Sequence, residues 1–342
     1  MKAARWVPAL AALLLAPAAS PFAGDQACAG CHREVAAHFR ATPMAQALES
    51  VSRCDILSRH ATLSFQEGPY KSLLTREGDR TLLTVTDGHD TISAPLLWAF
   101  GRGQAGQTYV FERNGILYES RVSFYNALGA LDLTMGAQAI KPADLDTAAG
   151  RRMDSVGARD CFGCHSTGAV TAGRLHLETI TPGVGCESCH GPTAQHLAGV
   201  RAGDPKSAAL PKLASLGAEE TSELCGRCHR TWSQIALSGP RGVNNVRFQP
   251  YRLANSRCYD TTDARIRCTA CHDPHGPLET NVTSYDSKCA ACHSAAAHTR
   301  VCPVAKTNCV TCHMPKFELP GAHARFTDHQ IRIARPNDPY PN

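Results

Sequence analysis

The sequence repeats one arrangement of cysteine and histidine seven times, and each copy could hold an iron porphyrin. In the pattern Cys-x-x-Cys-His, two thiols can add to the two vinyl groups of a haem, and the histidine can bind its iron. One copy alone could be a redox dithiol or half of a zinc site. Seven copies predict seven covalently bound c-type haems, with a disulfide scaffold or a zinc cluster as the alternatives. Numbered as motifs 1 to 7, they are Cys28-Cys31-His32, Cys161-Cys164-His165, Cys186-Cys189-His190, Cys225-Cys228-His229, Cys268-Cys271-His272, Cys289-Cys292-His293 and Cys309-Cys312-His313.

The spacing of the motifs leaves little polypeptide for each haem. Motifs 2 to 7 all lie between Cys161 and His313, too short a segment to wrap a separate apolar core around each of six porphyrins. The haems are therefore expected to pack against one another and to form the core themselves. The low aromatic content, 6% of residues, agrees, because porphyrins supply the flat apolar surface that aromatic side chains usually provide. Closely packed haems would form a path for electrons.

The elements that must position the motifs change in character along the chain. Short helices and loops surround motifs 2 to 7, and residues 34–48 have a helical pattern that Pro43 could kink. Between motifs 1 and 2, residues 81–85 resemble a strand, and residues 109–113 and 116–120 flank Asn-Gly, a dipeptide favoured in two-residue hairpin turns. The predicted fold is mainly α, with much irregular structure around a stack of c-type haems. A small antiparallel β insertion is expected between haems 1 and 2.

The corresponding division of the chain has four parts. They are a signal peptide over residues 1–23, a first haem module over 24–55, a β-rich insertion and connector over 56–150, and a hexahaem cytochrome domain over 151–342. Lys2 and Arg5 followed by an apolar run and small residues predict the signal peptide. An uncleaved anchor is the alternative, but Pro8 and Pro17 interrupt a run that is short for a membrane span. Because c-type haems are attached outside the cytoplasm, we expect a periplasmic or exported protein without a transmembrane segment in its mature chain.

The formal net charge of +5 does not indicate a nucleic-acid partner. Haem propionates would neutralise many Lys and Arg side chains, and the sequence has no basic run of the kind that binds polyanions. We therefore expect no nucleic acid among its partners.

Several stretches resemble one superfamily of multihaem c-type cytochromes. It includes the tetrahaem electron carrier of ammonia oxidation, octahaem hydroxylamine oxidoreductase and pentahaem nitrite reductase. The resemblance implies that His196, His275 and His329 are distal ligands on neighbouring haems and that haems form stacked pairs. It does not choose between a carrier and an enzyme. The stretches are Gly185-Cys-Glu-Ser-Cys-His-Gly-Pro192, Cys268-Thr-Ala-Cys-His-Asp-Pro-His275, Cys309-Val-Thr-Cys-His-Met-Pro-Lys316 and Phe326-Thr-Asp-His329.

The chain departs from this superfamily at two points. Related first modules often carry Trp, Ser and His where this chain has Phe39, Thr42 and Met44. The comparison implies that the Met44 sulfur is an axial ligand that raises the potential of its haem; apolar packing is the alternative. The second departure is the Cys-x-x-Cys-Lys motif of pentahaem nitrite reductases, which is absent from the sequence.

The supply of histidines decides whether every iron can be six-coordinate. Of 16 histidines, seven belong to the motifs. A haem with both axial positions filled exchanges electrons but has no place for substrate, whereas a five-coordinate haem can be catalytic. The supply permits seven six-coordinate irons, and it also permits one open iron. The candidate distal ligands are His196, His275, His329, His323, His298 and His176; His60 is a ligand or a surface residue, and His38 and His89 are expected at the surface.

The sequence therefore predicts a periplasmic heptahaem c-type cytochrome that transfers electrons between redox partners in a respiratory chain. The expected partners are a redox protein donor and acceptor, such as a quinol dehydrogenase or other cytochromes, and an oligomer is compatible with the sequence. One alternative is an oxidoreductase that acts on a small nitrogen or sulfur compound at one five-coordinate haem; no catalytic residue is assigned. Another is a filament subunit. Outside the motifs, Cys258 and Cys302 are predicted to form a disulfide, leaving Cys54 free or buried.

Overall fold

The computed structural model describes residues 22–294, 302–335 and 337–341. The predicted signal peptide lies almost entirely outside the described residues, and so does the candidate ligand His298. The described chain combines a large antiparallel sheet with a series of short helices that carry the Cys-x-x-Cys-His motifs.

Two short helices hold motif 1, and the chain turns sharply after them. Helix α1 (Asp25–Ala29) contains the first thiol, and α2 (Arg33–Arg40) begins directly after the motif histidine. The predicted helix over 34–48 is therefore wrong beyond Arg40, because Pro43 cannot donate a backbone hydrogen bond and excludes helical geometry from the residue before it. Thr42 stabilises the turn by accepting a hydrogen bond from the Ala45 amide (3.1 Å).

Nine strands between motifs 1 and 2 form one antiparallel sheet. Seven of them follow one another in the order β2-β3-β4-β5-β6-β7-β8, while β1 pairs with β5 and β9 pairs with β7. Two helices, α3 (Asp55–Arg59) and α4 (Leu145–Ala149), lie within the same segment. The strands are β1 (Leu48–Ser50), β2 (Thr62–Glu67), β3 (Tyr70–Glu77), β4 (Arg80–Thr86), β5 (Thr91–Phe100), β6 (Gln107–Arg113), β7 (Ile116–Tyr125), β8 (Ala130–Leu133) and β9 (Gly150–Arg152).

The two ends of the seven-strand path meet, so the sheet is nearly closed. Strands β2 and β8 are in contact, and Arg121 of β7 forms a two-pronged ion pair with Glu67 of β2 (2.6 and 2.7 Å). The same guanidinium donates to the Ile140 carbonyl (2.6 Å). A bidentate pair fixes both the distance and the angle between two elements, so this contact holds β2, at one end of the path, against β7, near the other end.

The sheet has an apolar interior of its own. Buried side chains alternate with more exposed ones along β4, as expected for a strand with one face on a core. The predicted hairpin is confirmed: Arg113 pairs with Ile116, and Asn114 and Gly115 adopt the positive φ angles (53° and 74°) that a tight turn needs. The main buried residues of the sheet interior are Leu74, Leu83, Val85, Ala99, Tyr109, Phe111 and Val122.

The predicted fold class is wrong. Of the described residues, 35% are helical and 24% are in strands, and the sheet is large rather than a small insertion. Strand β5 shows why the pattern was missed. Pro95 lies inside it, and the pairing register shifts between Leu96 and Trp98, so the period-2 alternation that identifies a strand is interrupted.

The part of the chain after the sheet consists of short helices and two-stranded ladders. Between Ser256 and Leu319, none of the described residues is buried, although this segment contains three motifs. A folded protein normally needs a buried core, so the polypeptide alone does not supply one here. The helices are α5 (Ser155–His165), α6 (Cys186–His190), α7 (Ala194–Ala202), α8 (Ala218–His229), α9 (Trp232–Ser238), α10 (Gln249–Ala254), α11 (Cys268–Cys271), α12 (Asp286–His293) and α13 (Cys309–His313). The strands are β10 (Ser166–Thr167), β11 (Val170–Thr171), β12 (Arg174–Leu175), β13 (Thr181–Pro182), β14 (Lys316–Leu319) and β15 (Ala324–Thr327).

Candidate functional site

Each motif lies on or beside a single helical turn. Helices α5, α6, α8, α12 and α13 all end at a motif histidine. Residues three positions apart lie on the same face of a helix, so the two thiols of a motif can reach one porphyrin edge together. The histidine lies where the helix ends, a position from which its ring can reach the iron.

Hydrogen bonds orient several motif histidines for ligation. The Nδ1 atom of His165 donates to the Ala47 carbonyl (2.9 Å), and that of His313 donates to the Arg332 carbonyl (2.9 Å). A carbonyl oxygen only accepts, so the proton is on Nδ1 and the lone pair is on Nε2, as a metal-binding imidazole requires.

Two predicted distal ligands lie beside motif histidines at a ring separation close to that of two imidazoles bound to one iron. The rings of His190 and His275 are nearly parallel (11°) with centroids 6.1 Å apart, and those of His272 and His329 have centroids 6.1 Å apart at 42°. Two metal–nitrogen bonds of about 2 Å, plus the distance from each nitrogen to its ring centre, give a centroid separation of about 6 Å. The structure thus brings motif 3 together with His275, and motif 5 together with His329.

Burial favours the neutral form of five histidines at the motifs and candidate ligand positions. Burial lowers the pKa of His165, His190, His229 and His272 below the usual value, and it lowers the pKa of His329 to about 4. Metal binding requires an unprotonated nitrogen, so these histidines need not lose a proton to act as ligands at pH 7.

Exposed apolar side chains beside the motifs also fit a porphyrin. Val35, Trp232, Leu278 and Val304 are 45%, 50%, 62% and 88% exposed, and all lie close in sequence to a motif. Haem faces would cover such side chains and supply the buried core that residues 257–318 lack. The residues present therefore fit covalently attached haems.

The helices of motifs 1 and 3 each supply a carboxylate that caps the N-terminus of the other helix. Asp25 of α1 accepts a hydrogen bond from the Cys186 amide at the start of α6 (2.9 Å). In return, Glu187 of α6 accepts bonds from the Ala23 and Gly24 amides (2.9 and 2.8 Å); cleavage after Ala23 would leave Gly24, as the amino terminus, to make this contact. A carboxylate at a helix N-terminus accepts hydrogen bonds from unpaired N–H groups, and its negative charge interacts favourably with the helix dipole. This exchange therefore fixes the two motifs side by side.

Glu187 makes this contact dependent on pH. Burial raises its pKa, but hydrogen bonds from Ala23, Thr193 and Gly24 outweigh burial, and its pKa lies below the usual value. A lowered pKa means that the carboxylate stabilises the fold above its unfolded-state pKa, about 4.3. That stabilisation is lost as the pH falls through the folded-state value.

We expect Glu187→Gln to lower the unfolding free energy by about 1–3 kcal/mol at pH 7. The deficit should shrink toward pH 3, where the wild-type carboxyl also becomes protonated. Thermal unfolding of both proteins across this range measures it, with the exposed Glu318→Gln as the matched control. A deficit that stays constant with pH would contradict the assignment.

Motifs 6 and 7 are joined in a similar way. Asp286, the first residue of α12, accepts hydrogen bonds from the Asn308 and Cys309 amides (2.7 and 2.9 Å) at the start of α13. Like Asp25, Asp286 lies three positions before the first cysteine of its own motif. An acidic residue at that position is therefore a sequence signal for a paired motif, which our sequence analysis missed.

The remaining contacts join these pairs to the other motifs. Motif 2 meets motif 3 through Thr167, whose hydroxyl bonds the Gly185 amide (2.6 Å). Motif 2 meets motif 4 through the Arg230–Asp160 ion pair (3.1 Å).

The later motifs are joined in chain order. Motifs 4 and 5 meet where α8 contacts α11. Motif 5 meets motif 6 where the His272 ring packs on Tyr285 (5.7 Å between centroids). All seven motifs are thus linked in the order 1, 3, 2, 4, 5, 6, 7.

The sheet positions motif 2 directly. Phe162 of α5 packs against Phe100 of β5 (5.0 Å between centroids), and the same Phe100 ring lies 5.3 Å from that of His165. Leu48 and Val110 complete this apolar contact. The sheet is therefore part of the wall around the motif 2 histidine.

The other predicted ligands have varied surroundings. His196 donates from Nδ1 to the Ala208 carbonyl (2.6 Å), which leaves Nε2 for a metal. His323 bonds Asp132 through Nε2 (2.7 Å), and His176 bonds Glu178 through Nδ1 (3.0 Å). Met44 lies in the turn after α2, half-buried. Their roles as ligands stay predictions.

The cysteines outside the motifs are free thiols. Cys258 and Cys302 are both exposed and unpaired, so the predicted disulfide between them is not formed in the structure. Cys54 is fully buried inside the sheet and donates to Gln107 (3.1 Å). None of the cysteines in the described residues forms a disulfide.

Fold and site together define a protein built to hold several c-type haems, and comparisons with known proteins agree. Residues 123–191 match the family described as cytochrome c554 and c-prime. The chain is 25% identical over 183 residues to multiheme cytochrome MtrA of Shewanella baltica, across 40% of this chain and 53% of that protein. It is 33% identical over 125 residues to cytochrome c-554 of Nitrosomonas europaea, across 34% of this chain and 52% of that protein. It thus spans about half the length of these relatives.

One solved structure has a similar fold. Outer cell wall cytochrome OcwA matches with a TM-score of 0.54 and 14% identity, across 92% of this chain and 80% of that one. Because the match covers nearly the whole chain, it includes the sheet as well as the motif helices. The OcwA match concerns the fold, whereas the family match and the sequence relatives confirm the resemblance to the multihaem c-type cytochromes.

Proposed function

We propose that this protein is an exported heptahaem c-type cytochrome that transfers electrons between redox partners in a respiratory chain. The observation that carries the proposal is the continuous series of contacts linking all seven motifs. When bound, haem iron supplies a reversible one-electron change. The chain's own residues, such as Asp25, Glu187 and Asp286, hold neighbouring motifs together so that an electron can cross from one to the next.

The expected location and partners follow from the attachment chemistry. Haem attachment outside the cytoplasm, the predicted signal peptide and the likeness to a cell-wall cytochrome support a periplasmic or exported protein. Among the described helices, none combines the length and apolarity needed to cross a bilayer. The partners would be a donor and an acceptor protein, such as a quinol dehydrogenase or other cytochromes.

Haem counting tests the number of sites. The mature wild-type protein should carry seven haems by intact mass and by the pyridine haemochrome assay. A Cys161→Ala/Cys164→Ala variant should carry six, because no thiol of motif 2 remains to bond a vinyl group. Cys54→Ala, which removes a thiol buried in the sheet, should still carry seven. A variant of motif 2 that keeps the full count would contradict the assignment.

An oxidoreductase with one open haem is the second candidate. It is favoured by His323, whose Nε2 atom bonds the Asp132 carboxylate and so is not available to an iron in this arrangement. Electron paramagnetic resonance of the oxidised protein separates the two. Only low-spin signals would support the carrier, whereas a high-spin signal from one haem would support an enzyme acting on a small nitrogen or sulfur compound.

A further inference from the structure

Arg247 is a cation without a counter-charge. Its Nε atom is buried and has no hydrogen-bond partner, and one terminal nitrogen lies against the Met135 sulfur (3.3 Å). The guanidinium belongs to none of the ion pairs formed by arginines in the described residues. Arg247 is half-buried overall, and a buried N–H group without a partner is costly, so an anion at this position would stabilise the folded protein.

A nearby arginine shows what a satisfied cation looks like in the same segment. Arg252 is fully buried and binds the Asp328 carboxylate, Asn245, Gln330 and the Pro341 carbonyl. The polypeptide supplies a carboxylate for Arg252 and none for Arg247. The difference indicates that the partner of Arg247 comes from outside the polypeptide.

The position of Arg247 identifies where that partner belongs. It lies two residues before Gln249, whose Oε1 is 3.2 Å from Nδ1 of His229, the motif 4 histidine. Burial, and then the charge of Arg230 next to His229, lower the pKa of Arg247. Two arginines thus flank motif 4, and only Arg230 has an acidic partner, Asp160.

We propose that Arg247 binds a propionate carboxylate of the haem held by Cys225, Cys228 and His229. The inference rests on the proposed function, because it needs a haem at motif 4. A guanidinium can hold a carboxylate through two parallel hydrogen bonds. Its charge also favours the reduced iron, which is less positive, and so raises the potential of this haem. A free small oxyanion would offer similar chemistry, and the test separates the two sources.

The test compares haem content and reduction potentials of four variants with wild type. Arg247→Met and Arg247→Gln remove the charge, Arg247→Lys keeps it, and Arg59→Met changes an exposed ion pair on α3. All should carry seven haems. In Arg247→Met and Arg247→Gln, spectroelectrochemical titration should show one haem that is harder to reduce, its reduction constant lowered roughly tenfold. Arg247→Lys should recover most of the shift, and Arg59→Met should show none.

Three results would overturn the proposal. One is a set of unchanged potentials in Arg247→Gln and Arg247→Met with the full haem count. Another is an equal shift in Arg247→Lys, because a structural disturbance would not depend on charge. The third is a spectral change in wild type on adding formate or nitrite that is lost in Arg247→Gln, which would assign Arg247 to a free oxyanion. Unmodified Cys225 and Cys228 in the wild-type protein would instead contradict the proposed function.

Discussion

An Asp328→Asn variant is expected to lose about 3–5 kcal/mol of unfolding free energy, because it would leave buried arginine charge without a partner. Arg252 and Asp328 are both fully buried and joined by two bonds (2.8 and 3.0 Å). Arg332 binds the same carboxylate (2.5 Å). Asparagine retains the shape of the side chain but not its charge, so the loss measures the electrostatic contribution. Chemical denaturation provides the measurement.

The matched control for this variant is Asp263→Asn. Its ion pair with Arg265 lies at the surface, where the arginine side chain is 72% exposed, and exposed pairs contribute little to stability. Asp328→Asn should also loosen His329, the next residue, and so weaken the contact with His272. An equal loss of unfolding free energy in Asp328→Asn and Asp263→Asn would contradict the prediction that the buried ion pair stabilises the fold more than the exposed one.

Replacing His275 or His329 with alanine is expected to open one haem iron in each case. The rings of these histidines lie 6.1 Å from those of His190 and His272, the separation at which both can bind one iron. Alanine removes a strong axial ligand, so one low-spin haem of the seven should become high-spin. The double variant should contain two such haems. Electron paramagnetic resonance and the visible spectrum of the oxidised proteins quantify the change.

His89→Ala is the control for these variants, because His89 lies in an exposed turn of the sheet. In this variant each haem should keep the spin state that it has in the wild-type protein. An unchanged spin state in His275→Ala would mean that another group binds the iron of motif 3. An unchanged state in His329→Ala would do the same for motif 5. The two assignments are therefore tested separately.

The sequence predicted features that depend on a few neighbouring residues. The Asn114-Gly115 hairpin and the strand over residues 81–85 are confirmed, because turn geometry and alternation are local properties. The helix after motif 1 was predicted past Arg40, although Pro43 ends it. The fold class was wrong because nine strands depend on pairings between distant segments, such as β1 with β5, and on the contact of β2 with β8.

By itself the sequence predicted the chemistry of each motif, because two thiols and an imidazole within one helical turn need no other part of the chain to form a candidate haem attachment site. It did not determine which motifs touch or which distal histidine faces which motif. Those pairings join residues far apart in the chain, such as His190 with His275 and Asp25 with Cys186. Only the folded chain brings them together, since backbone hydrogen bonds to carboxylates, the buried Arg252–Asp328 pair and the sheet set the positions of the motifs.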